Sequence, residues 1–314
     1  MMGRPNGQRV RDTSGFARIA ALLVGQTRNE ATNYFTKEVL CEKFDNYIEL
    51  KKKEGKEYTY RDIAIAMLVR IFYLRPQLNR FVVKGRTYQR HHIDVASTIH
   101  KNLKTGDRET TIKCRFHGTE TLDEVKERLD ATFKTAIFDQ NATDKFVDGF
   151  LAKVPRFVLR LIVWSFRVRD RWGLLSDKFM FETSPMHTSI YYADLKSIHL
   201  DTVWHHLFAF GNCGFFISMG KEKMRAIACP KTQKIEAKKV VELGISIDER
   251  FIDGLAYSHM IKTIERMFDD LTCLEVHALP EDRRWPHGTE ERIKHLPKRA
   301  IKQLKRMGIE PPRG

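Results

Sequence analysis

Apolar and polar positions alternate along Val240, Val241, Leu243, Ile245 and Ile247, and the alternation ends in the charged run Asp248-Glu-Arg-Phe-Ile-Asp-Gly254. This pattern predicts a half-buried strand that turns at Asp253-Gly254. From Leu255 to Phe268 the period becomes that of a helix. A charged cluster between a strand end and a helix start is where a fold usually displays chemistry, although an ordinary strand–turn–helix junction has the same look.

The same two periods divide the rest of the chain. Tyr34–Leu40 reads as a strand and Glu42–Lys53 as a helix, whose Lys51-Lys-Lys53 end before Gly55 suits a helix C-terminus. Thr59 is a candidate N-cap for a helix carrying Ile63, Met67, Ile71 and Leu74, which Pro76 stops. Arg80–Val83 and Arg86–Arg90 read as a strand pair turning at Lys84-Gly85, and Ile93–Ile99 and Thr110–Phe116 as longer strands. Thr121-Leu-Asp-Glu124 has the form of a capping box opening a helix to about Lys134. Ser189–Leu195 and Cys213–Gly220 read as two buried strands. Between them His205-His206 reads as a loop or a satisfied core pair, and Ser218 as packing.

Composition narrows the class. The chain has 314 residues, 42% hydrophobic and 11% aromatic, which suits a globular protein with a full core. Its polar start is no signal peptide, and no apolar run reaches the ~18 residues of a membrane span. Cys41, Cys114, Cys213, Cys229 and Cys273 are scattered and form no Cys-x-x-Cys pair, which implies reduced cytoplasmic thiols and no metal site. The net charge of +15 is spread along the chain without a nucleic-acid-binding motif, so no nucleic-acid partner is expected. A basic surface suits an anionic nucleotide cofactor or an anionic membrane face equally well. Within 156–171, Arg156, Arg160, Arg167 and Arg171 fall on one helical stripe beside a broad apolar face. That pattern fits a helix lying on a membrane surface, one packed at a subunit interface, or a core helix with a solvated basic edge.

The run Asp248-Glu-Arg-Phe-Ile-Asp-Gly254 resembles the Asp-His-Arg-x-x-Asp-Gly signature of the catalytic domain of the dihydrolipoyl acyltransferases of 2-oxoacid dehydrogenase complexes, which share their fold with chloramphenicol acetyltransferase. The element order over about 30–135 is also similar to theirs. One fixed position of the signature differs: Glu249 stands where the family has its catalytic histidine. Aligning through Leu195 and Asp201 places Ala193 at the position of the family's oxyanion-stabilising serine and Asp194 at that of the following asparagine.

The resemblance implies a chloramphenicol-acetyltransferase-like α/β two-layer sandwich, with a mixed, largely antiparallel sheet flanked by helices. It implies a homotrimer, coenzyme A or acyl-CoA bound in a channel between subunits, and a supporting role for Asp253, through a salt bridge, with Gly254 and Arg250. The organisation expected is a loose arm at 1–12, the acyltransferase-like domain at 13–270 with a helical insertion at about 138–185, and a basic extension at 271–314. No lipoyl domain accompanies it, so no lipoyl group is expected on this chain. A glutamate base starts ~2 pH units below histidine and needs burial to reach a working range. Three readings stay open: acyl transfer through Glu249 or through a histidine at 199, 205, 206 or 259; a non-catalytic trimer that binds an acyl thioester or a partner, as a scaffold; and a membrane- or glycan-associated assembly protein, peripheral to the membrane.

Overall fold

Strand-period and helix-period segments interleave along the chain, and they assemble as an α/β architecture. The computed structural model describes residues 4–10, 19, 22–25, 27–100, 109–138, 149, 154–228 and 234–284. In chain order the elements are β1 (Gly7–Arg9), β2 (Thr32–Leu40), α1 (Cys41–Lys53), α2 (Tyr60–Leu74), β3 (Arg80–Val83), β4 (Arg86–Arg90), β5 (Ile93–His100), β6 (Glu109–Phe116) and α3 (Leu122–Phe138). There follow α4 (Arg156–Trp172), α5 (Asp177–Thr183), β7 (Ile190–Asp194), β8 (Phe215–Met219), β9 (Lys223–Ala228), β10 (Ile235–Asp248) and α6 (Gly254–Asp269).

The 14-residue strand β10 is the spine of a seven-stranded sheet of order β2-β10-β8-β7-β5-β6, with β9 paired to its N-terminal half. Pairing is antiparallel except where β7 runs parallel to both β5 and β8. The sheet is therefore mixed and largely antiparallel, as expected. A second sheet of order β1-β4-β3 carries the hairpin that turns at Lys84-Gly85, where both residues hold a positive φ.

Period 2 decides which face each strand buries. Ile190, Tyr192, Phe215, Ile217, Met219, Val241, Leu243, Ile245 and Ile247 share one face and enter the main core with α2 and the apolar side of α6. Helix α2 is buried nearly end to end, which explains its apolar residues on all sides. Thr59 caps it in a full capping box with Asp62. On the opposite sheet face, Ala96, Tyr191 and Phe216 meet Leu207 and Cys213 in a smaller core. The crossing segment lies so close that a side chain on Gly244 would meet Thr202 and Ser218 within 3 Å.

Two stretches depart from the expected organisation. Gly7–Arg9, placed in a loose arm, pairs antiparallel with β4, and Arg4 forms a buried ion pair with Asp170 of α4. Leu271, Leu274 and Ala278, placed in an extension, pack into the main core, and Arg70 donates to the carbonyls of Cys273 (2.8 Å) and Val276 (2.6 Å). Both attachments use side chains far apart in sequence, which local pattern does not reveal. Helix α3 also continues past Lys134 to Phe138. The insertion supplies α4 and α5, and much of its first part lies outside the described residues. So do Cys229 and the part of the basic extension beyond residue 284.

Candidate functional site

The charged run after β10 folds as a one-turn 3-10 helix, Glu249–Phe251, followed by α6. Asp248 is fully buried, and Arg250 turns inward onto it in a two-pronged contact, Nε to Oδ1 at 2.8 Å and Nη2 to Oδ2 at 2.7 Å. Arg28 approaches the same carboxylate from the other side at 3.5 Å and donates to the carbonyls of Phe208 (2.5 Å) and Gly211 (2.7 Å). Burial lowers the Arg28 pKa and Asp248 works against that. The bracing ion pair expected of Asp253 is therefore carried by Asp248. Asp253 is exposed and instead caps α6, accepting from the backbone N–H of Ala256 at 2.8 Å, while Gly254 opens the helix in free space.

Glu249 sits between these anchors. Its backbone N–H donates to the carbonyl of Ala31 at 2.9 Å, which fixes the main chain. Its side chain is exposed and has no hydrogen-bond or ion-pair partner among the described residues. Among the described residues nothing supplies the burial expected of a carboxylate base. Tyr257 stands nearby on α6, hydrogen-bonded to Asn33 at 3.5 Å, with burial pushing its phenol up to about 12.

Ala193 and Asp194 end β7. Ala193 packs on the smaller core and offers only a methyl group. Asp194 accepts from the Ser197 backbone N–H at 3.4 Å, and burial raises its carboxyl pKa against the pull of Ser197, Arg61 and Lys196. Ser218, one strand away in register with Ala193, is buried and donates to the carbonyl of Val203 at 2.6 Å, consistent with packing. His205 stacks on Phe216 (4.3 Å between centroids) and His206 (4.6 Å), and its Nδ1 meets the carbonyl of His206. This places His205 in the loop over the sheet face that carries Ala193. His199 has a left-handed backbone just beyond Asp194, and His259 lies on α6.

Register separates the two halves of the site. Ala193 pairs with Ser218, Ser218 with Gly244, and Asp248 lies further along β10. That is roughly 13 Å along the strand plus two inter-strand steps of about 4.8 Å. Glu249 and Ala193 of one chain thus lie at opposite ends of the strands and cannot act on one reacting carbon.

Pattern reading missed a second polar cluster. His187, buried against the C-terminal end of α4, meets Ser184 Oγ through Nδ1 at 2.6 Å and Asp170 through Nε2 at 3.4 Å. With Arg4 on the same Asp170, it links the N-terminus, α4 and the segment before β7. Ser184 is 7% exposed, so the trio is a strut closed to a substrate. Burial lowers the pKa of His187, His91 and His92. Burial works to raise Asp170, yet His187 and Arg4 hold it below the usual carboxylate range. The signs agree: the unfolded chain takes up protons before the folded one, so stability is full above ~6.5 and falls as pH drops below it. The denaturation midpoint is expected to hold from pH 7.5 to about 6.5 and to fall from there to pH 5, and a flat profile would show that these groups do not titrate with unfolding.

Among the described residues no group of histidine, cysteine and acidic side chains has metal-ligand geometry, and no helix is long and apolar enough to cross a membrane. No protein-family model and no curated protein matches the chain. Among solved structures it is similar to a probable dihydrolipoamide acetyltransferase from Listeria monocytogenes, at 14% identity and TM-score 0.52, over 84% of this chain and 95% of that one. It is similar also to the dihydrolipoamide acetyltransferase of Azotobacter vinelandii, at 10% identity and TM-score 0.50, over 85% and 94%. In the latter a serine, a histidine and an asparagine were investigated for their role in catalysis. The likeness establishes the fold: this chain has the α/β architecture of the acyltransferase catalytic domains, as the signature led one to expect.

Proposed function

We propose that the chain assembles as a homotrimer that binds coenzyme A or an acyl thioester between subunits, with the acyl-transfer chemistry of its fold weakened by loss of the base and the oxyanion donor. The distance between Glu249 and Ala193 within one chain supports this most strongly, since the two positions can serve one substrate only if they come from different copies. In the transfer reaction a base removes the thiol proton, the thiolate attacks the carbonyl of the acyl thioester, a hydroxyl donates to the oxyanion, and collapse of the tetrahedral adduct breaks the donor C–S bond, the departing thiolate taking the proton back from the base. Here Glu249 of one copy would face the thiol and Ala193 of the next the acyl carbonyl. A carboxylate is a weaker base than imidazole near neutrality, and a methyl group donates nothing. Asp248, Arg28 and Arg250 hold the loop in place whether or not chemistry proceeds. The free thiols of Cys41, Cys114, Cys213 and Cys273 suit a reducing, cytoplasmic setting.

Sedimentation at micromolar concentration is expected to give three times the 36.8 kDa chain mass, and a monomer would remove the composite site altogether. A second reading rests on His205, which lies on the same sheet face as Ala193 and could supply a base there. In that case wild-type transfer would be substantial and His205→Gln, rather than Glu249→Gln, would abolish it.

A further inference from the structure

Helix α4 lies on the surface with its sides sorted by chemistry. Asp170 is its only buried residue, and the ion pair of Asp170 with Arg4 fixes its C-terminal end. Gly173, at φ 72°, closes that end in a left-handed cap whose N–H reaches the carbonyl of Asp170 at 2.9 Å. The described residues thus hold the helix in place without covering its outer face.

That outer face carries an apolar stripe beside a basic one. Phe157, Leu161 and Trp164 follow one another at four- and three-residue spacing, Trp172 lies about two turns further along the same side, and the four are 69%, 61%, 63% and 63% exposed. Arg156, Arg160, Arg167 and Arg171 run alongside, all exposed. Asp170 is the only acidic residue of the helix, and it is turned inward. Lys84, at the turn of the β3–β4 hairpin, places its ammonium 3.1 Å from the Trp172 ring centroid and adds charge at the same end. Monomeric soluble surfaces rarely hold four large apolar side chains this exposed in one row.

We infer that α4 docks on a bilayer surface containing anionic phospholipid, with Phe157, Leu161, Trp164 and Trp172 set into the headgroup boundary and the arginines on lipid phosphates. Charge complementarity selects this occupant. Arginine stems bury beside apolar residues while the guanidinium reaches the headgroup layer, and tryptophan favours that boundary. A second copy laid on the same face would bring two arginine stripes together, between chains of net charge +15 each. The inference is independent of the acyl-thioester site, since α4 belongs to the insertion and contributes no residue to the 193–194 or 248–254 positions.

Flotation of the full chain with vesicles of phosphatidylcholine alone, and of phosphatidylcholine mixed with phosphatidylserine, tests it. The protein is expected to float with the mixed vesicles only, and to detach as salt rises from ~0.1 M to ~0.5 M. Arg160→Glu with Arg167→Glu should weaken the association by about 5-fold per arginine lost, hence ~25-fold or more. Phe157→Ser with Trp164→Ser should weaken it at unchanged charge. All four side chains are exposed, so an unchanged melting profile verifies that each variant is folded. Failure to float with mixed vesicles, equal flotation with neutral ones, or undiminished binding by the arginine variant would overturn the inference. So would a change of oligomeric state in the Phe157/Trp164 variant without lipid, which would assign the face to a second copy. None of these results depends on coenzyme A binding or transfer activity.

Discussion

Acetyl transfer from acetyl-coenzyme A to a small dithiol is expected to run near background in the wild type and to rise by at least ~10² only when Glu249→His and Ala193→Ser are combined. General-base catalysis is typically worth ~10²–10⁴ and one oxyanion donor ~10²–10³. Both act on the same transition state, so either single variant should recover little and the pair should exceed the product of the two. Neither change disturbs packing severely: Glu249 is exposed, and Ala193 lies at the partly covered edge of the smaller core. Robust wild-type activity lost in Glu249→Gln would mean that the glutamate is a working base buried by a neighbouring copy. Activity that survives Glu249→Gln would turn attention to His205, then to His199, His206 and His259.

The largest stability effect is expected at the neighbouring residue. Asp248→Ala removes the buried carboxylate on which Arg28 and Arg250 converge, breaking both ion pairs at once. Breaking one side of a buried ionic cluster costs about 3–5 kcal/mol. Against the ~5–15 kcal/mol of a typical domain, that should lower the urea midpoint sharply or leave the protein insoluble. Because Arg28 also holds the carbonyls of Phe208 and Gly211, the loop over the smaller core should open with it. Glu249→Gln, one residue on, is exposed and should stay within about 0.5 kcal/mol of wild type. Equal effects at the two positions would contradict the assignment of the structural role to Asp248.

Much of this was legible in the sequence where the signal is local. The hairpin at Lys84-Gly85, the N-cap at Thr59 and the capping box at Thr121 each rest on residues three or four apart, and each forms as read. Strand β10 showed its period-2 pattern only from Val240, because its first residues, paired with β9 at the sheet edge, are exposed on both sides and carry no alternation. What could not be read depends on distant partners. Nothing around Arg28 announces that it will meet Asp248, and nothing in Gly7-Gln-Arg9 shows it as a strand, since its apolar contact comes from Phe81 of β3. The signature was visible, yet the division of labour inside it was not: Asp253 caps a helix and Asp248 holds the ion pairs, a distinction that depends on which carboxylate faces inward. The placement of 193 and 249 at opposite ends of the strands likewise follows from sheet order and register.

A crystal structure of the oligomer soaked with coenzyme A tests the central claim most directly. The account predicts the pantetheine arm in a channel between two subunits, its thiol ending between Glu249 of one copy and Ala193 of the next. A thiol bound far from both positions, or coenzyme A absent from a subunit interface that brings them together, would contradict it.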